Sequence, residues 1–118
     1  VRNLGTAGTY VCIAAGNDYG DAAKCLPGCI NGTRVYTIGC INCSKVCCDF
    51  SNFNGSVVDW VAVGQSVYST YKSGGYATLS GTSMSTPVVA GIIHARNAPP
   101  VSGGTVTCKG VVYKIAHR

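Results

Sequence analysis

Leu79-Ser80-Gly81-Thr82-Ser83-Met84-Ser85-Thr86-Pro87-Val88-Val89-Ala90-Gly91 is a Gly/Ser/Thr turn that runs directly into an apolar segment of helical period. Val88, Val89, Ile92 and Ile93 recur three to four apart, which predicts a buried helix with one apolar face. Pro87 falls in what would be its first turn, where a missing N–H costs little. Ser83 then stands at, or just ahead of, the helix N-terminus. Backbone N–H groups there lack intrahelical partners and the helix dipole is positive, so developing negative charge is stabilised. That setting suits a nucleophile. On position alone an N-cap serine on a core helix is the commoner occupant, because helices need caps far more often than nucleophiles.

Upstream, Tyr10-Val11-Cys12-Ile13-Ala14-Ala15 is a compact apolar run ending at Gly16. The pattern predicts a strand buried on both faces, as in a parallel sheet. Asn17 follows on a tight turn at the C-terminal edge of that strand, where open α/β sheets place their ligand sites. Arg34 to Gly39 alternates apolar and polar residues and closes on Gly39, a second strand. Asp21 to Cys29 reads as a loop turning at Pro27-Gly28, and Cys40 to Cys48 as a cysteine-dense loop. Val57 to Gly64 carries Asp59 in an apolar run, and Asp59 reads as structural.

Downstream of that run, Val67–Tyr71 and Gly75–Leu79 form an exposed hairpin about Lys72-Ser73-Gly74, leading to Ser83. After the helix, Asn97 can cap its C-terminus and Pro99-Pro100 stops it. Thr105–Cys108 and Val111–Ile115 close the chain as a hairpin around Lys109-Gly110. Val1 to Thr9 carries no cap or turn signal.

Two of these stretches share their wording with one family. Gly81-Thr82-Ser83-Met84-Ser85-Thr86-Pro87 with Ala90-Gly91 resembles the active-site serine motif of the subtilisin-like serine proteases, the subtilases. Ala14-Ala15-Gly16-Asn17 resembles the family segment whose asparagine donates to the oxyanion. The resemblance implies that Ser83 is the nucleophile and that Asn17 and the Ser83 N–H stabilise the tetrahedral intermediate. It implies that Gly16, Leu26, Pro27 and Gly28 border the pocket for the substrate residue before the scissile bond. A cis peptide at Leu26-Pro27 would suit the family. Phe50-Ser51-Asn52 leading to Asp59 also resembles the family.

Three departures are visible: Val88 stands where many members have histidine, Val63 stands where proline is usual, and Cys40–Cys48 is richer in cysteine than the family segment. The implied fold is α/β: part of a subtilisin-like parallel sheet, a central helix after the nucleophile and a C-terminal β-hairpin. Calcium is implied by the resemblance only; no metal site is assigned from the residues.

The 118 residues are 47% hydrophobic, as in a globular domain, with no apolar run long enough to span a bilayer. No basic segment leading into an apolar run opens the sequence, so any secretion signal would lie upstream. Nine Lys and Arg against four acids give a net charge of +5, but the basic residues are scattered. A nucleic-acid surface would cluster them, so neither nucleic acid nor membrane is expected as a partner.

Eight cysteines in a short chain point to an oxidising compartment: Cys12, Cys25, Cys29, Cys40, Cys43, Cys47, Cys48 and Cys108. All are candidate disulfide partners, and Cys25 with Cys29 can staple the Pro27-Gly28 turn. Cys40-Ile41-Asn42-Cys43 followed by Cys47-Cys48 is a weaker zinc pattern, since the second pair is adjacent and no histidine is near. Asn31, Asn42 and Asn54 each open a glycosylation sequon. Together these features predict a secreted, glycosylated, disulfide-bonded protein.

A subtilase orders its triad Asp, His, Ser along the chain. The only histidines are His94 and His117. His94 lies roughly 16 Å along the predicted helix from Ser83 at 1.5 Å per residue, out of reach. His117 has no His-Gly motif, and no aspartate is followed by Thr/Ser-Gly. The resemblance spans about Tyr10 to Gly91, so residues 1–118 read as the C-terminal part of a peptidase domain. The expected partner is an N-terminal chain of the same precursor bearing Asp and His. The expected substrate is a peptide or protein. Two other readings stay open at this point: a subtilase-derived structural or assembly glycoprotein without catalysis, and an unrelated disulfide-rich binding module.

Overall fold

The computed structural model describes residues 1–118. A five-stranded sheet is ordered β1-β2-β3-β7-β6, formed by β1 (Val11–Ala14), β2 (Val35–Ile41), β3 (Val58–Val63), β7 (Val111–His117) and β6 (Val101–Cys108). β1, β2, β3 and β7 run parallel, and β6 returns antiparallel against β7. The hairpin of β4 (Val67–Thr70) and β5 (Tyr76–Leu79) stands apart as its own antiparallel pair. A short helix, α1 (Arg2–Thr6), precedes β1, and the long helix α2 (Thr82–Arg96) follows β5. The architecture is the expected α/β one, with a central helix, parallel strands and a closing hairpin turned by Lys109 and Gly110, both at positive φ.

α2 packs Val89 and Ile93 on Ile38 and Ala62 of one sheet face. A second cluster gathers Ile41, Val58, Val61 and Tyr113 of the sheet with Ala15, Ala22, Val57 and Cys108. The helix is buried along one line only: Thr82, Ser85, Val89 and Ile93. Val88, expected on the buried face, is 41% exposed. Pro87 is the sixth helical residue and lies in the second turn, not the first, because the helix already begins at Thr82. Asn97 closes the helix in the left-handed conformation, as its position predicts.

The strands also differ from expectation in detail. β1 is only half-buried except at Ile13, because it is the edge of the sheet. β2 does not end at Gly39: pairing with β3 continues through Gly39, Cys40 and Ile41 opposite Val61, Ala62 and Val63, so Cys40 is a strand residue. The β2–β3 register shifts between Thr37 and Ile38, and Asp59 is the skipped residue. Its Oδ2 accepts the Thr37 N–H at 2.7 Å, completing the ladder at the bulge.

Two disulfides form. Cys40–Cys48 closes a short loop, and Cys47–Cys108 ties that loop to the end of β6. Cys12, Cys25, Cys29 and Cys43 are unpaired within this chain, which corrects the reading of all eight as disulfide partners. The fold disperses them: Cys12 lies in β1 beside α2, and Cys43 sits on an exposed loop. Cys25 Sγ lies 3.1 Å from where a Cβ on Gly16 would stand.

Candidate active site

The end of β1 and the start of α2 meet through Thr82, which is fully buried. Its Oγ1 accepts the Gly16 N–H at 3.2 Å and donates to Asn17 Oδ1 at 2.9 Å. Its backbone N–H donates to the same Oδ1 at 2.8 Å. A backbone N–H can only donate, so the Asn17 atom facing α2 is the carbonyl oxygen. Asn17 Nδ2 is thereby turned away with its protons unspent. Ser83, the second residue of α2, is exposed and its N–H meets no backbone carbonyl, as first-turn donors do not. Asn17 Nδ2 lies against Gly81, where a Cβ would stand 3.4 Å from it, and the unpaired Ser83 N–H follows two residues on at the positive end of a 15-residue helix. Such an arrangement can stabilise an oxyanion formed by attack of a serine hydroxyl.

The helix start approaches the end of β3 closely. Gly81 N donates to Gly64 O at 2.8 Å, and a Cβ on Gly64 would collide with Ser85 Oγ. Gly16 has φ +102°, in the region that favours glycine, and a Cβ there would fall on the Asn52 amide and 3.1 Å from Cys25 Sγ. The 25–28 turn therefore packs directly beside the loop that carries Asn17. Leu26 is 78% exposed on this turn and Pro27 is also exposed. Gly28 lies behind them, where a Cβ would sit 3.1 Å from Ala15 O. The Leu26-Pro27 peptide bond is cis.

No base reaches Ser83. The cavity beside it, about 340 Å³, is walled by the β4–β5 hairpin and by Met84, Pro87 and Val88, without a histidine or a carboxylate. His94 borders a different groove, with Tyr10 and Cys12 on the β1 side of α2. His117 is exposed at the end of β7, with Nδ1 at 2.8 Å from Arg118 O. No three His, Cys, Asp or Glu side chains gather in a metal-binding group.

The three sequon asparagines differ in how their side chains are engaged. Asn31 Nδ2 donates to Ser56 O at 3.0 Å, and Asn54 Nδ2 to Asp21 Oδ1 at 2.8 Å. Asn42 instead uses its Oδ1, accepting from Ser44 and Val46 N–H groups at 2.9 Å each, which leaves its amide nitrogen unengaged. Sequence reasoning missed Thr82 and Asn52, the two buried polar residues that fix the site. Their signal was their place: Thr82 inside the helix-start motif and Asn52 in the Phe-Ser-Asn turn.

A mostly parallel sheet with a serine at the start of its central helix and an asparagine at the facing strand end defines a serine-peptidase scaffold. The comparisons specify it. The Subtilase family profile matches residues 2–96, and the chain belongs to that family. It is 44% identical over 89 residues to the alkaline serine protease ver112 of Corniculantispora psalliotae, covering 75% of this chain and 22% of that protein. It is 37% identical over 111 residues to subtilisin-like protease 7 of Arthroderma otae, covering 94% of this chain and 27% of that one. A crystal structure of a cold adapted subtilisin-like serine proteinase superposes with a TM-score of 0.82 at 30% identity, covering 98% of this chain and 47% of the other. The chain thus spans about a quarter of the length of these curated relatives.

Proposed function

We propose that this chain supplies the nucleophile and the oxyanion hole of a serine endopeptidase. Ser83 attacks the scissile carbonyl of a peptide or protein substrate. Asn17 Nδ2 and the Ser83 N–H hold the oxygen as it becomes anionic. Leu26 and Pro27 form the rim beside the residue preceding the scissile bond, with Gly16 and Gly28 supporting it. The observation that carries the reading is the anchoring of Asn17 Oδ1 by Thr82, which leaves Nδ2 without a partner at the start of the helix that carries Ser83.

The proton acceptor comes from elsewhere. An upstream part of the same precursor supplies the histidine and the aspartate that orients it. The outer side of α2 next to Ser83 supports this: Pro87, Val88, Ala90 and Gly91 are exposed and offer a smooth apolar surface to another element. Secretion is the compartment that suits two disulfides and three sequons. Asn42 is the sequon whose amide nitrogen is left unengaged.

The test is kinetic, on the complete protease. Ser83→Ala should abolish peptide hydrolysis, and Asn17→Ala should lower kcat by about 10²–10³, the loss typical of one oxyanion donor and measured on a subtilisin, this family's own member. Hydrolysis undiminished in Ser83→Ala would remove the assignment.

A further inference from the structure

We propose that Asn52 is a positioning residue that holds the loop bearing Asn17 in its donor geometry; this rests on the reading of Asn17 as an oxyanion donor. Residues Ala15 to Gly20 have no regular secondary structure, and Gly16 adopts a left-handed φ. Something other than a ladder must hold them, because a donor misplaced by about 1 Å forfeits much of its effect. Asn52 supplies that hold from the far side of the loop. Its Oδ1 accepts the N–H of Asp18 and of Gly20, each at 2.9 Å. Its Nδ2 donates to Ala15 O at 3.1 Å, and its backbone N–H donates to Gly16 O at 2.9 Å. These four bonds bracket Asn17 on both sides without touching it.

The chemistry selects an amide. Two N–H groups and one C=O of the loop converge on a side chain that is 3% exposed. Only a group with an acceptor oxygen and a donor nitrogen on one short stem satisfies all three. A carboxylate at this position keeps the two acceptor bonds but faces Ala15 O without a proton. An alanine leaves two partly buried N–H groups and the carbonyl of buried Ala15 without these partners, so the loop is free to rearrange. Thr82 fixes Asn17 from the helix side and Asn52 fixes the backbone beneath it. The two clamps are independent in sequence: Thr82 holds the Asn17 side chain and Asn52 holds the backbone on either side of it.

The test is a double-mutant cycle on the complete protease, with Asn52→Ala and Asn52→Asp each made in the Asn17 and the Asn17→Ala backgrounds. With Asn17 present, Asn52→Ala should lower kcat by about 10–100-fold with KM little changed, and Asn52→Asp by less. With Asn17 already removed, either Asn52 substitution should cost no more than about threefold, since there is no donor left to misplace. Fluorophosphonate labelling of Ser83 establishes that each variant is folded; where Asn52→Ala is not, Asn52→Asp carries the cycle. Equal losses in both backgrounds, or no kcat loss in either, would overturn the proposal while leaving the Asn17 assignment standing. If Asn17→Ala itself left kcat unchanged, both readings would fall together.

Discussion

Single residues in this chain do work that their type alone does not announce. Asp59 is nearly alone among acids and is tempting as a catalytic carboxylate, yet it closes a bulge. The residue is exposed overall, but its carboxyl end reaches the buried Thr37 N–H. Desolvation pushes its pKa above the usual aspartate value, and the Thr37 hydrogen bond pulls the other way and does not win. A raised folded pKa means that the native state binds the proton more tightly than the unfolded chain. Asp59 therefore adds stability as pH falls through the window just above the ordinary aspartate value, and withdraws it as pH rises through that window. Asp21 is shifted the opposite way, by the Asn54 side chain first and the Ala23 N–H second, so the whole-protein slope mixes the two. Asp59→Asn keeps the acceptor for Thr37 and isolates one of them. Denaturant midpoints measured across acidic pH should show wild type gaining on the variant as pH falls; a pH-independent difference would contradict this account.

At the level of elements, the sequence was legible where a local period or a local motif decided the outcome. The β4–β5 hairpin, the Lys109-Gly110 turn, the Asn97 cap and the helix after Ser83 are all written in neighbouring residues. What was not legible depends on partners distant in the chain. Gly39 looks like a strand end until β3 lies alongside it and carries the pairing on to Ile41. Val88 looks like core until α2 docks by the line through Thr82, Ser85, Val89 and Ile93. Asn17 and Ser83 stand in motifs that a local reading picks out, whereas Asn52, whose side chain and backbone N–H reach back to residues 15–20, does not. Cysteine pairing is the extreme case, since identical residues carry no address.

The Cys47–Cys108 bridge spans 61 residues and joins the β2–β3 loop to the C-terminal hairpin. Chain-entropy arithmetic for a loop of that length gives about 4 kcal/mol. Replacing both cysteines by alanine should lower the unfolding free energy by roughly that amount. Denaturant unfolding with unchanged stability would show that the hairpin holds its place without the bridge.

At the scale of the molecule, the fold is a scaffold with an open side. Only 27 of 118 residues are buried, with two core clusters among them, and β1 presents an unpaired parallel edge. Parallel sheets are ordinarily covered on both faces and flanked by neighbours. On the proposed reading, the nucleophile, its donors and their supports all lie within this chain, and the base comes from outside it. On the same reading, Ser83 becomes reactive only when an upstream part brings a histidine to it. A serine hydroxyl without a base is a weak nucleophile, so an activated-serine reagent distinguishes the two states. The direct measurement is fluorophosphonate labelling, mapped to the peptide, of residues 1–118 alone and of the same chain within its complete precursor. Labelling is expected at Ser83 in the complete protein and not in the isolated chain. Prompt labelling of Ser83 in the isolated chain, or labelling of another residue in the complete protein, would contradict it.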